Sequence, residues 1–451
     1  MSVTKSPFSI ANVRLFIAFR ILFTARFYYP VFTIIFLDYG LSIEQFALLN
    51  SVWAITIFCS EVPSGALADI LGRKRLVVTT SLLMLLEISL IAFVPLGNSQ
   101  VIFWVFLANR VLSGLAEAMA SGADQALAYD ALALEGDEKA WPRVLSMLMR
   151  LRSVATMISM TIGALVYDPN IVNKVIEWFG FSVQLEQQLT MRFPIYLTLI
   201  LAVGALICSL KMKENQVEGP LSKRFNTKDA LTMTWNAGKW IANTPFVFAI
   251  ILFGMCYDHM LRMITTMTSQ YYRLIDIPEA SFGLIGASFA VVGIFTPKVA
   301  EYMVLKNSPV KNMCWLSAMT IVALFWLTAF TPYWGILPMA MIMIVMTLVS
   351  FFSSHYINSA TASYQRATVL SFKGMAFNLA YGAIGFSFAT LIAYQRGLVS
   401  SESTNLTMSA TESLAFENAI SWFPWYAIVC ITLTFVYCRY RLKGCHEQTI
   451  K

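Results

Sequence analysis

The chain has 451 residues, 58% of them hydrophobic and 13% charged, with a formal net charge of +7 and a mean hydropathy of +0.66. That balance lies outside the soluble range and excludes a soluble enzyme, because too few polar groups remain to cover a water-facing surface. The bases are dispersed among loops instead of gathered on one face, which argues against nucleic acid as a partner.

The first twelve residues are polar, and the apolar run after them is too long for a signal peptide and lacks a small-residue cleavage site. It therefore reads as a first membrane span. Crossing a hydrocarbon core takes about 20 apolar residues. Six runs of that kind fill the first half, at 13–37, 43–64, 76–94, 101–121, 144–166 and 193–210. Six more follow at 246–267, 281–303, 313–330, 334–356, 367–394 and 420–438. Residues 1–211 and 244–451 thus form two six-helix halves joined by a basic linker at 212–243, a layout suited to two bundles that rock against each other. The expected class is an all-α membrane protein with twelve transmembrane helices.

Lysines and arginines give the orientation. With the N-terminus inside, cytoplasmic segments carry Lys5, Arg14, Arg73, Lys74, Arg75, Lys139, Arg143, the linker bases, Lys306, Lys311, Arg366, Lys373, Arg439, Arg441 and Lys443. The opposite loops carry only Lys174, Arg192, Arg273 and Arg396. The expectation is a multi-pass protein of the inner (plasma) membrane with both termini cytoplasmic.

Two outer loops exceed a turn. In the first, 168–192, the residues Ile171, Val172, Val175, Ile176 and Phe179 fall at helical spacing, so a short helix on the outer membrane surface is expected. The second, 396–417, is rich in Ser and Thr and acidic, and Asn405-Leu406-Thr407 matches a glycosylation sequon. Seven cysteines, Cys59, Cys208, Cys256, Cys314, Cys430, Cys438 and Cys445, read as free thiols. With only His259, His355 and His446 in the chain and no clustered Cys/His ligands, neither a metal nor a cofactor is expected.

Between the second and third runs lies Gly65-Ala66-Leu67-Ala68-Asp69-Ile70-Leu71-Gly72-Arg73-Lys74-Arg75. A glycine-rich turn with one acid and three consecutive bases belongs in a loop on one membrane face. The pattern G-x-L-A-D-x-x-G-R-K resembles the loop between helices 2 and 3 of the major facilitator superfamily of secondary transporters. In the second half, Pro297-Lys298-Val299-Ala300-Glu301 and Lys306 occupy the equivalent place, consistent with a duplication that has drifted. The resemblance implies two pseudo-symmetric six-helix bundles. It also implies a conformational latch formed by Gly65, Asp69, Gly72, Arg73 and Lys74, with Asp130 as the acid that receives the bases; the alternative is that the bases only enforce topology.

Glu61-Val62-Pro63-Ser64-Gly65, Ser121 to Asp130 and Arg366-Ala367-Thr368-Val369-Leu370-Ser371 look like a bacterial subgroup of that superfamily near its drug-efflux branch. One departure stands out. The G-x-x-x-G-P run that marks the fifth span in many antiporters is replaced by Ser159-Met160-Thr161-Ile162-Gly163-Ala164, which weakens the case for drug/proton antiport.

Six arginines fall inside the predicted spans: Arg20, Arg26, Arg110, Arg150, Arg152 and Arg262. Each costs about 2.5–3.5 kcal/mol at mid-helix, so each should face water or a partner. The acids Glu61, Glu87, Glu117, Asp124 and Asp258 are available to pair with them. In the fourth span Arg110, Gly114, Glu117, Ser121 and Asp124 recur at steps of three and four and line one stripe. Arg110-Val111-Leu112-Ser113-Gly114 also resembles the superfamily's R-x-x-x-G motif, which is linked to proton coupling. Glu117 is therefore the leading proton-binding candidate, unless it forms a fixed structural pair with Arg110. Glu87, Asp258 and His259 are the further proton candidates; Asp258 and Arg262 can pair at i, i+4.

Arg150 and Arg152, two residues apart, point to nearly opposite sides of a helix, so they cannot both line one cavity. The substrate-cavity candidates are Arg26, Arg110, Asp124, Arg150, Arg262 and Asn378, with Phe27, Tyr28, Tyr29, Tyr257, Tyr271, Tyr272, Phe377 and Tyr381 as aromatic walls. The functional expectation is a monomeric secondary transporter in the lipid bilayer, using protons to drive efflux of a small amphipathic organic compound. Uptake or exchange of an organic anion is the alternative, motivated by Arg26, Arg110 and Arg150. A membrane receptor or scaffold is the reading from another class.

Overall fold

The computed structural model describes residues 6–120, 123–135, 140–214, 227–361, 363–402 and 406–448, with the backbone alone at 65–71, 227–231, 233, 294, 363–368, 402 and 443–448. Lys5, Ser121, Gly122, Lys139, Asn405 and the centre of the linker lie outside the described residues, as do the side chains of Gly65, Asp69, Arg366, Lys443, Cys445 and His446.

The described chain is helical without strands. Twelve helical runs are long and apolar enough to cross a membrane. The first six are Ala11–Asp38, Ile43–Ser64, Arg73–Phe93, Ser99–Glu135, Trp141–Tyr167 and Gln187–Lys211. The rest are Pro245–Thr266, Glu279–Lys306, Pro309–Leu327, Ile336–Ala360, Val369–Ser401 and Met408–Leu442. They are called spans one to twelve below. Polarity is inverted relative to a soluble protein: Phe93, Trp104, Ile200 and Leu433 are exposed, while Glu87 and Asp124 are wholly buried. Lipid, not water, suits such a surface.

Hydropathy located the spans, but the backbone departs from it in several places. Span one, read as one run, is broken between the helices Ala11–Thr24 and Phe32–Asp38. Pro30 supplies the cause. It has no N–H to offer the Arg26 carbonyl and its ring would clash there in an α-helix, so the chain passes through a 3-10 turn at Tyr29–Val31 instead. Ala25 turns extended, at φ −75° and ψ 117°. The freed backbone groups find partners: the Phe27 N–H donates to Thr198 Oγ1 at 3.1 Å, and the Tyr29 N–H to the Arg26 carbonyl at 3.3 Å. Non-helical backbone at membrane depth survives only where protein satisfies it in this way. Span seven, its counterpart in the second half, is also interrupted, with Pro245–Thr266 followed by a separate helix Thr268–Leu274.

Other boundaries extend beyond the hydropathy runs. The linker contains the helix Thr227–Asn243. The helix of span eleven runs Ser363–Glu402, and the acidic loop after it folds into a second helix, Met408–Ile420, whose first turn is capped by Thr407 Oγ1 accepting from the Ala410 N–H. That loop is therefore shorter than the sequence suggested. The expected helix after span five is present at Pro169–Trp178, capped by Asp168 through the Asn170 N–H.

Two compact units emerge: Met1–Leu41 with Ile55–Leu231 and Glu279–Ala287, and Ser42–Ala54 with Thr232–Pro278 and Ser288–Lys451. In the first, spans four and six pack on span three, span one packs on spans four, five and six, and Phe19, Met84, Ile88 and Phe106 are buried among them. Close approach here needs glycine, since a Cβ on Gly163 of span five would lie 1.7 Å from the Phe27 carbonyl oxygen. In the second, span seven is the hub, packed against spans ten, eleven and twelve.

Candidate functional site

The first unit buries a five-residue polar network. At the break in span one, Arg26 Nη1 donates to Glu87 Oε1 at 2.7 Å and to the Tyr28 hydroxyl at 3.2 Å. Asn109 Nδ2 donates to Glu87 Oε2 at 3.0 Å and to the Glu87 carbonyl at 2.9 Å. The amide's other end, Oδ1, accepts from Arg110 Nε at 2.9 Å and Nη2 at 2.7 Å. Asn109 thus joins a carboxylate to a guanidinium. Arg110 lies over the faces of Phe32 and Phe36, 5.3 and 5.5 Å from the ring centroids. All five residues are buried.

Pairing differs from the sequence stripe. Arg110 bonds to Asn109, whereas Glu117 is exposed two turns along the same helix. Arg20 Nη2 donates to Asp124 Oδ1 at 2.8 Å, so that carboxylate is held by an arginine of span one. Arg150 and Arg152 are both exposed on span five. Asn109 was missed because a neutral amide in an apolar run carries no periodic signal.

Where span three begins, Gly72 adopts φ +90°, a backbone conformation that favours glycine. Arg73 forms an ion pair with Asp130 of span four. Glu214, just after span six, accepts from the Arg73 N–H at 3.0 Å and the Lys74 N–H at 2.7 Å. Its carboxylate therefore caps the positive end of span three's helix. Sequence reasoning named Gly72, Arg73, Lys74 and Asp130 but not Glu214, whose role depends on a tertiary contact.

The second unit holds a cavity of about 280 Å³ lined by Tyr257, Asp258, Arg262, Met346, Lys373, Phe377 and Asn378. Asp258 Oδ2 and Arg262 Nη2 form an ion pair of 2.6 Å within span seven. Arg262 Nη1 donates to Asn378 Oδ1 at 2.9 Å, and its guanidinium lies 5.1 Å from the Tyr381 ring centroid. These bonds fix the arginine. Lys373 Nζ sits 5.5 Å from the centroid of Phe377 and forms no direct ion pair among the described residues. Lys373, counted with the cytoplasmic bases in the sequence, falls inside span eleven and faces this cavity. The spacing of Lys373, Phe377, Asn378 and Tyr381 along one helix face was the available signal.

His259, next to Asp258, turns to span twelve. Its Nδ1 lies 2.7 Å from the Met255 carbonyl, which can only accept, so the proton sits on Nδ1. Nε2, 2.9 Å from the Tyr426 hydroxyl, accepts from it when the ring is neutral. Elsewhere in this unit Arg396 binds two acids, with Nη1 donating to Glu44 Oε2 at 2.9 Å and Nε 2.6 Å from Glu412 Oε1. Among the described residues no three His, Cys, Asp or Glu side chains converge into a metal-binding group.

Twelve apolar spans, the Arg73–Asp130 ion pair where span three begins, and buried charged networks inside each unit set the frame for a comparison with known proteins. Residues 15–395 match the Major Facilitator Superfamily. The chain belongs to that superfamily. No curated protein matches its sequence. Its fold is similar to that of a bacterial homologue of the human lysosomal transporter Spinster, with a TM-score of 0.71, 13% identity and 98% of each chain covered. The nucleoside transporter NupG is similar over 96% of this chain and 99% of its own, at a TM-score of 0.66 and 12% identity. A proton-dependent oligopeptide transporter aligns over 97% of this chain and all of its own, at a TM-score of 0.61 and 14% identity. At such identities the likeness is one of fold. The chain is a multi-pass membrane protein and a Major Facilitator Superfamily secondary transporter, not an enzyme.

Proposed function

We propose that this transporter carries a small amphipathic organic anion together with a proton, by alternating access of residues 1–211 and 244–451. The observation that carries this reading is the charge of the second unit's cavity, where Arg262 and Lys373 face a single acid, Asp258. Arg262 is already held by Asp258 and Asn378, so Lys373 supplies the uncompensated positive charge. Phe377 and Met346 beside it suit an apolar body. A volume near the lower end of the roughly 300–1,000 Å³ usual for small-molecule pockets limits the cargo's size.

Coupling follows from the same three groups. Protonating Asp258 would release Arg262, leaving two cations for one anionic substrate, so proton and anion favour each other's binding. Efflux against an inward proton flow, the expectation from the drug-efflux likeness, would need substrate and proton to compete, as a cation at Asp258 would. Lys373 and Arg262 beside Asp258 repel such a cation.

Two measurements test the reading in vesicles containing the purified protein. With a panel of aromatic carboxylates and their neutral amides, Lys373→Met should reduce carboxylate transport by about tenfold or more, equivalent to roughly 1.4 kcal/mol, and spare the amides. Equal losses for both series would defeat the anion assignment. Wild-type carboxylate uptake should rise as external pH falls, and Asp258→Asn should flatten that dependence. Carboxylate transport that Asp258→Asn leaves fully pH-responsive would place the coupling proton elsewhere, with Glu87, Glu117 and His259 the remaining candidates.

A further inference from the structure

A second cavity of the second unit, about 340 Å³, opens on the surface between spans eleven and twelve. Span eleven contributes Ile384, Ser387, Phe388, Leu391, Tyr394 and Gln395, a single stripe at steps of three and four; Trp422, Phe423 and Tyr426 form the facing wall. The floor is apolar, with Phe388 and Phe423 buried and their rings 5.4 Å apart. No charged side chain lines it, so it cannot hold the anionic group assigned to the cavity at Lys373.

One residue breaks the pattern. Gln395 is only 7% exposed, yet its side-chain amide has no hydrogen bond to any described residue and it lines the groove. An amide that faces an apolar groove at membrane depth without a protein partner is costly unless a ligand pairs with it. From Gln395 to Ile384 is eleven residues, about 16 Å along a helix and close to half of a bilayer's roughly 30 Å hydrocarbon core. At the Gln395 end stand Tyr394, 62% exposed, and Trp422, 57% exposed, the residue types that settle at the level of the lipid headgroups. The groove therefore runs from the interface toward mid-bilayer.

We infer that this groove is a binding site for one phospholipid acyl chain, with the chain lying along Leu391, Phe388 and Ile384 and its ester carbonyl accepting a hydrogen bond from the Gln395 amide. A protein helix, about 10 Å across, is too thick for the volume. At the deep end the chain meets Tyr426, whose hydroxyl bonds His259 Nε2. His259 adjoins Asp258, so the lipid lies against the span-twelve tyrosine that is hydrogen-bonded to span seven beside the transport cavity.

The test uses the full-length protein in vesicles of phosphatidylethanolamine and phosphatidylglycerol, doped with phosphatidylethanolamine bearing a photoreactive diazirine near the end of one acyl chain. After irradiation, adducts mapped by mass spectrometry should concentrate several-fold on 384–391 and 423–426 over the exposed face of span nine at Trp315, Val322 and Phe325. Ile384→Trp, which fills the groove, should remove that enrichment and leave span nine unchanged. Gln395→Leu, which keeps the groove apolar and removes only the amide, should weaken it. Uniform labelling of both faces, or enrichment indifferent to Ile384→Trp in protein that elutes as a single species, would overturn the site. So would loss of labelling on adding a transported carboxylate, which would make the groove part of the substrate path.

Discussion

Replacing Arg26 with methionine should destabilise the folded protein by about 3–5 kcal/mol, because it strands a carboxylate in a place water does not reach. Glu87 is wholly buried and would keep only the Asn109 amide for its charge. Removing both charges together should behave differently. Arg26→Met combined with Glu87→Leu leaves an apolar pair of similar volume, and the cost of desolvating two ions disappears with them. Most of the lost stability should return in the double variant, and the cycle should show a coupling well above the few tenths of a kcal/mol expected for independent sites. Denaturant or thermal unfolding in detergent measures all four species. An Arg26→Met protein as stable as the wild type would mean that Glu87 is neutral in the fold, and the pair would then be a hydrogen bond and not an ion pair. Transport by the double variant separates roles. If the pair only holds the span-one break, transport survives; if Glu87 carries the coupling proton, proton-driven uptake fails while exchange persists.

The twelve spans were legible because about 20 consecutive apolar residues are a strong, local signal that needs no partner. Charge inside those spans was equally visible, but its pairing was not. Arg26 and Glu87 are 61 residues apart, and Arg20 and Asp124 are 104 apart; each pair joins different helices, where no spacing rule applies. Only Asp258 and Arg262, on one helix, could be matched from their numbering. The break in span one was written in the chain as Pro30, yet a hydropathy scan is blind to backbone chemistry and ran through it. Lys373 was hidden for the opposite reason. A base near a span end normally marks topology, and the helix of span eleven starts early enough to bring this one into the cavity. Glu214 lay in a segment read as linker, where nothing local distinguishes a helix cap from a solvated acid.

The departure at Ser159 to Ala164 has a structural use that leads to the second large effect. Gly163→Val should destabilise the protein by at least the 1–3 kcal/mol typical of overpacking, and should reduce transport along with stability. A Cβ there would sit 1.7 Å from the Phe27 carbonyl oxygen, with the Phe27 carbonyl carbon at 2.7 Å, so backbone and not a flexible side chain must yield. What yields is the break itself. Phe27 is one residue from Arg26, and its N–H is tied to Thr198, so pushing its carbonyl strains the Arg26–Glu87 pair and the bond to span six at once. Helical glycines elsewhere provide the contrast. Cβ atoms added at Gly293 and Gly397 meet nothing within 4 Å, so Gly293→Ala and Gly397→Ala should be neutral or stabilising by about 0.4–1 kcal/mol. Gly163→Ala should fall between these and valine. If all the alanine variants unfold at the same midpoint, span five does not seat against the Phe27 carbonyl, and Pro30 alone shapes the break. If Gly163→Ala and Arg26→Met are each destabilising but less than additive when combined, the glycine and the ion pair support one element, as two contacts on a single discontinuous helix must.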